Sequence, residues 1–151
     1  MDPTRVGEDQ DLDRAVARRL SEQGQRYTPQ RRALVRLLRG ADRPLAIREL
    51  LRRATELPMS SVYRNLVILE QAGVAHRLVT GPGSATYELA EDLTEHHHHL
   101  ICTNCGSVED LPASSTLERT VRTAASGLAT RRGFRVRSHR VDILGLCRQC
   151  A

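Results

Sequence analysis

Lysine and tryptophan are both absent from this 151-residue chain, and aromatic residues make up 3% of it. A GC-rich genome is the simplest account of an all-arginine basic complement. With so few rings, any core has to be assembled from Leu, Val, Ala and Ile. No run of about 18 apolar residues occurs, which excludes a membrane-spanning helix. The opening M-D-P-T-R-V-G-E-D-Q lacks the apolar core of a secretory signal. These absences lead to the expectation of a cytoplasmic protein with no membrane partner. The length suits one ordinary domain or two small ones.

Charge is present but uneven. The formal net charge is +5, and residues 1–76 carry 14 Arg against 10 acidic residues, whereas residues 77–151 carry 9 against 8. A positive N-terminal half suits an acidic partner such as nucleic acid, or simply presents solvated helix faces.

Residues 1–10 read as disordered. Asp11–Gln23 reads as a helix on Leu12, Val16 and Leu20, closed by Gly24. Thr28 and Pro29 open a second helix as N-cap and first helical residue, with Ala33, Leu34, Leu37 and Leu38 as its apolar stripe and Gly40 as its stop. A third helix is expected over Leu45–Glu56. A fourth, capped by Ser60 or Ser61, runs to Ala72 with Val62, Leu66 and Leu69 inward and Tyr63 and Arg64 on another face. Strands Ala75–Thr80 and Ser84–Leu89 follow, joined by a Gly81-Pro82-Gly83 turn. Helices followed by a hairpin form the winged helix pattern, a helix-turn-helix variant whose last helix enters the major groove. The N-terminus of that helix suits phosphate, Arg64 can donate to guanine or phosphate, and Tyr63 can pack on a thymine methyl. A plain helical bundle is the bland alternative.

The second half is small and mixed: strands over His97–Cys102 and Val108–Leu111, a helix over Thr116–Arg132 with Leu117, Val121, Ala124, Ala125 and Leu128 inward, and a last strand over Arg135–Leu144. One helix cannot bury that face well alone, so a dimer is expected. The fold class is therefore α+β, an N-terminal winged helix DNA-binding domain over residues 1–89 and a small α/β dimerisation and metal-binding domain over residues 90–151.

Metal ligands concentrate in E-H-H-H-H-L-I-C-T-N-C, Glu95–Cys105. Cys102 and Cys105 form one C-x2-C pair, and Cys147 and Cys150 form another. Four thiolates at this spacing fit a tetrahedral structural zinc site, with disulfides or a redox pair as alternatives. If His96–His99 is extended, successive side chains alternate faces, so His96 and His98 point one way and His97 and His99 the other. A solvated polar loop is the competing reading. His76, Glu88, Asp92, Glu118 and His139 form the pool of completing ligands. A zinc hydrolase is disfavoured: there is no H-E-x-x-H, and four thiolates leave no open position for water. The chain reads as a non-enzyme with no small-molecule substrate. A zinc-ribbon interaction module would account for the cysteines but not for the Tyr63–Arg64 helix.

The chain resembles the ferric uptake regulator (Fur) family, in its iron- or zinc-sensing branch. The matching pieces are Y-T-P-Q-R-R at Tyr27–Arg32, S-S-V-Y-R-N-L at Ser60–Leu66, Y-E-L at Tyr87–Leu89, H-H-H-H-L-I-C-T-N-C-G at His96–Gly106 and G-L-C-R-Q-C at Gly145–Cys150. The resemblance implies a homodimeric, metal-dependent repressor of a palindromic DNA operator serving metal-homeostasis genes. It implies structural Zn2+ on Cys102, Cys105, Cys147 and Cys150. A hinge sensing site matches His97, His99 and Glu88, with His76 in the place some zinc sensors use and Asp92 as a substitute carboxylate. Pro44 stands where iron and peroxide sensors carry a histidine, and Ala90 where zinc sensors usually add a cysteine. A second site matches His96, His98, Glu118 and His139. Tyr63 and Arg64 match the DNA-reading positions, with Ser61, Arg31, Gln30 and Arg26 as further candidates. Nitrogen and oxygen ligands suit Fe2+, Mn2+, Ni2+ or Zn2+, so the regulatory metal is left between Zn2+ and Fe2+, and a peroxide-, manganese- or nickel-sensing role is the alternative.

Overall fold

Thr28 starts the element on which the N-terminal half packs. Its side chain accepts from the Arg31 N–H, and Pro29 sits where a missing N–H costs nothing, giving helix α2 over Pro29–Arg39. The computed structural model describes residues 3–81, 84–136 and 138–151. The chain divides into two units, residues 1–95 and 96–151.

In the first unit, α1 (Pro3–Glu22) precedes α2, then come β1 (Leu45–Ala46), α3 (Ile47–Arg53), α4 (Met59–Gln71), β2 (Ala75–Gly81) and β3 (Ser84–Leu89). The strands form one sheet in the order β1-β3-β2. With the helices this is a winged helix unit. Its core draws Val16 and Leu20 from α1, Leu34, Val35 and Leu38 from α2, Leu50 from α3, and Val62, Leu66 and Leu69 from α4. Each such leucine contributes roughly 2 kcal/mol by leaving water. Gly24 and Gly73 end α1 and α4 in left-handed conformations (φ 66° and 65°) that suit glycine.

Three expectations need correction here. Residues 1–10 are not wholly disordered, because α1 begins at Pro3; proline suits a first helical turn, and Gly7 alone interrupts an otherwise helix-compatible run. The third helix is shorter than Leu45–Glu56, since Leu45 and Ala46 pair with Tyr87 and Thr86 as a strand. Neither Ser60 nor Ser61 caps α4: the helix starts at Met59 without a side-chain cap, and the Pro58 carbonyl accepts from the Ser61 and Val62 N–H groups. Pro82 and Gly83 of the expected turn lie outside the described residues.

The second unit holds β4 (His97–Cys102), β5 (Val108–Pro112), α5 (Ser115–Arg131) and β6 (Asp142–Gly145). Its sheet order is β5-β4-β6, antiparallel on the β5 side and parallel on the β6 side. A parallel neighbour requires a long crossover, which α5 supplies. The last strand is shorter than the expected Arg135–Leu144, because its ladder with β4 opens only where His99 meets Asp142. The inner face of α5 is also thinner than expected. Leu117, Val121 and Ala125 are half-buried, Ala129 is buried, and Ala124 and Leu128 are exposed. Ile143, Leu144 and Leu146 are exposed as well.

Leu66→Ala should lower the unfolding free energy of the winged helix unit by about 2–5 kcal/mol, the range for a truncated core leucine. Urea denaturation followed by circular dichroism reads the loss.

Candidate metal centres and nucleic-acid interface

The extended backbone of β4 sorts its side chains by parity. His98 and His99 are both fully buried yet belong to different groups of ligands, as alternation requires. His96 and His98 converge with Glu118, from the first turn of α5, and His139, from the segment leading into β6. Nε2 of His98 lies 2.6 Å from Glu118 Oε1, while Nε2 of His96 and of His139 lie 3.1 Å and 3.0 Å from Oε2. An ionised carboxylate only accepts and a neutral imidazole carries one N–H. Three ring nitrogens around one carboxylate therefore call for protons or a shared cation. Burial raises the Glu118 pKa, but the His98 contact and the charges of His96 and His139 outweigh it and hold the carboxyl below its ordinary value. The four side chains fit a hard-to-borderline divalent cation.

On the other face, His97 and His99 gather with Asp110, their ligand atoms within 4.8 Å of one another. Asp110 sits on β5 directly opposite His99. Residue order alone does not point to Asp110 as a ligand. The signal for it was the hairpin register from Cys102 through Ser107, which sets which acid faces which histidine.

None of the four cysteines is in a disulfide, so the disulfide alternative to a metal site is not formed. Their sulfurs lie within 4.8 Å of one another, with Cys105 and Cys147 3.8 Å apart. The Cys105 and Cys147 backbone N–H groups lower the Cys102 pKa to about 6. At Cys150 the Asn104 side chain lowers it, but the crowded thiols of Cys147, Cys105 and Cys102 and burial push it up to about 11. Four sulfurs this close repel one another as thiolates, whereas a tetrahedral Zn2+ would bind four thiolates.

The other expected ligands lie in the N-terminal unit. His76 and Glu88 face each other across the β2–β3 ladder. Glu88 is buried, and Nδ1 of His76 is buried with no hydrogen-bond partner among the described residues. His76 joins no group of three or more ligand atoms there. Asp92 is bound by Arg19, which also donates to the Gly73 carbonyl.

The α4 face expected to meet DNA exposes Tyr63 and Arg64, and Arg26 is exposed nearby in sequence to α2. Arg31 is placed differently: it is buried, its Nε donates to Asn65 Oδ1 at 3.1 Å and its Nη2 to Gln25 Oε1 at 2.9 Å, and its Nη1 donates to the Arg26 carbonyl. Asn65 donates in turn to Gln30 Oε1 and the Ser61 carbonyl. Ser61 is buried too. Arg31, Gln30 and Ser61 thus tie α2 to α4, and burial, then the nearby Arg64 charge, lower the Arg31 pKa.

The family model for the ferric uptake regulator family matches residues 22–144. The chain belongs to the ferric uptake regulator family. Fur-family proteins are transcription regulators rather than enzymes. Among relatives, the peroxide operon regulator of Bacillus subtilis is 30% identical over 138 residues, covering 87% of this chain and 88% of that one. The ferric uptake regulation protein of Bordetella parapertussis is 35% identical over 103 residues, 68% of this chain and 69% of that one. Among solved structures, Helicobacter pylori Fur, described as having three functional metal binding sites, matches with TM-score 0.69 at 23% identity, covering 94% of this chain and 93% of that one. A zinc-bound manganese uptake regulator matches with TM-score 0.58 at 29% identity, covering 87% and 98%. No described helix of this Fur-family chain is long and apolar enough to cross a membrane.

Removing one thiolate from the cysteine cluster should release β6, whose C-terminal end leads directly into Cys147. Cys147→Ser is expected to lose bound metal and to speed amide hydrogen exchange at Thr103, whose N–H donates to the Gly145 carbonyl at 2.9 Å. Mass spectrometry under native conditions and exchange by NMR read the two effects.

Proposed function

We propose that this Fur-family regulator is a homodimeric, metal-dependent repressor that binds a palindromic operator of metal-homeostasis genes when a divalent cation occupies its regulatory site. The observation that carries the reading is the division of β4 and the residue before it: His96 and His98 go to one ligand group, His97 and His99 to a second, and Cys102 to a third. The four cysteines hold structural Zn2+. His97 and His99 are the core of the regulatory site, Glu88 and His76 are its ligands from the wing hairpin, and Asp110 is a further carboxylate for it. His96, His98, Glu118 and His139 form the second site. A bound cation supplies positive charge that links these side chains. Because Glu88 and His76 belong to the hairpin and His97 and His99 to the dimerisation unit, joint ligation would favour one spacing of the two α4 helices in the dimer. That spacing matches half-sites on one face of DNA, a shift of population between arrangements rather than a new fold.

Tyr63 and Arg64 contact bases or phosphates from the exposed face of α4, and Arg26 contacts phosphate. The exposed Ile143, Leu144 and Leu146 give the second unit an apolar surface for the partner subunit. The regulatory ligands are nitrogen and oxygen donors without thiolate, compatible with Zn2+ and with Fe2+. A second reading, peroxide sensing, is favoured by the 30% identity to a peroxide operon regulator together with this thiolate-free set of donors.

His97→Ala should abolish metal-dependent operator binding in a gel shift while the protein still dimerises and keeps its zinc. Unchanged metal response would sink the regulatory assignment. Titrating the zinc-loaded dimer separately with Fe2+, Mn2+, Ni2+ and Zn2+ and reading operator affinity each time identifies the metal. Arg64→Ala should weaken binding and, if the contact is to phosphate, reduce the salt slope by about one.

A further inference from the structure

Asp142 belongs to none of the three ligand groups, yet its Oδ1 lies 3.1 Å from Nδ1 of the fully buried His99. Its other oxygen, Oδ2, accepts from Arg140 Nη2 at 2.8 Å. Strand register produces this contact. β4 and β6 run parallel with His99 opposite Asp142, and the same register sets Cys102 opposite Gly145. Thr103 N–H then donates to the Gly145 carbonyl, and the chain enters the cysteine cluster at Cys147. The short strand that carries Asp142 is therefore held at one end by the thiols and along its length by the histidine strand.

We propose that Asp142 is a positioning residue for the regulatory metal site, accepting the Nδ1–H of His99 so that Nε2 is presented to the cation. The proposal rests on the reading of His97 and His99 as regulatory ligands. An imidazole can carry its proton on either nitrogen, and a carboxylate on one nitrogen fixes the tautomer, the ring orientation and the basicity of the other. Arg140 steadies the carboxylate in this role. The cysteine cluster acts on the same contact at a distance, because it keeps β6 in the register that faces Asp142 toward His99.

The test uses full-length, zinc-loaded protein and Mn2+ as the probe, with affinity read by chelator competition. Asp142→Ala should weaken Mn2+ binding about 10–100-fold, the usual effect of losing such a partner. Asp142→Asn keeps an acceptor oxygen and should recover part of that loss. In the Mn2+-free protein, long-range 1H–15N spectra should show the Nδ1–H tautomer of His99 in the parent and in Asp142→Asn, and its loss in Asp142→Ala. If Asp142→Ala sheds its zinc, Asp142→Thr, a strand former too short to reach Nδ1, replaces it. Unchanged affinity and tautomer in the Ala or Thr variant would overturn the role of Asp142. His97→Ala separates the two readings. Loss of one Mn2+ equivalent there with no change in the Asp142 variants overturns only the positioning role, whereas an unchanged number of Mn2+ equivalents in His97→Ala overturns the regulatory site itself.

Discussion

Alternation of side chains along one extended strand is the constraint on which the rest depends. A strand has a period of two, so four consecutive histidines cannot all reach one ion. β4 gives His98 to Glu118 and His139, gives His99 to Asp110, and ends on Cys102 in the thiol cluster. A helix in the same place would have spread these residues around its circumference at a period of 3.6. The β4–β5 hairpin and the parallel strand β6 keep the segment extended, so the ordinary hydrogen bonds of the sheet are what organise the metal chemistry.

The fold and the chemistry are coupled in both directions. β6 is four residues long, and a strand so short has little of its own to hold it. The cysteine pairs at its end and at the end of β4 supply that restraint. In the N-terminal unit a comparable job falls to a buried hydrogen-bond network, with Arg31 and Asn65 binding α2 to α4. An arginine taken from water must satisfy its donors internally, and the partners Asn65, Gln25 and the Arg26 carbonyl do so.

Much of this was legible from residue order. The C-x2-C pairs, the capped α2 with Thr28 and Pro29, the inward line of α4 and the parity of the histidines all depend on local spacing. What escaped depends on register between distant segments. Asp110 becomes a neighbour of His99 only through the hairpin, and Asp142 only through a crossover. Arg31 reads from sequence as one more basic residue near a recognition helix, and only the packing of α2 on α4 reveals it as buried. The early start of α1 and the short β6 are boundary effects, decided by tertiary pairing rather than by propensity.

The most direct test of the partition is anomalous diffraction from crystals of the protein loaded with zinc and manganese. The account predicts three separate peaks: one within the four sulfurs, one among His96, His98, Glu118 and His139, and one against His97 and His99. A single peak bridging His97 and His98, or histidines bound to no metal while DNA binding still responds to it, would contradict the account.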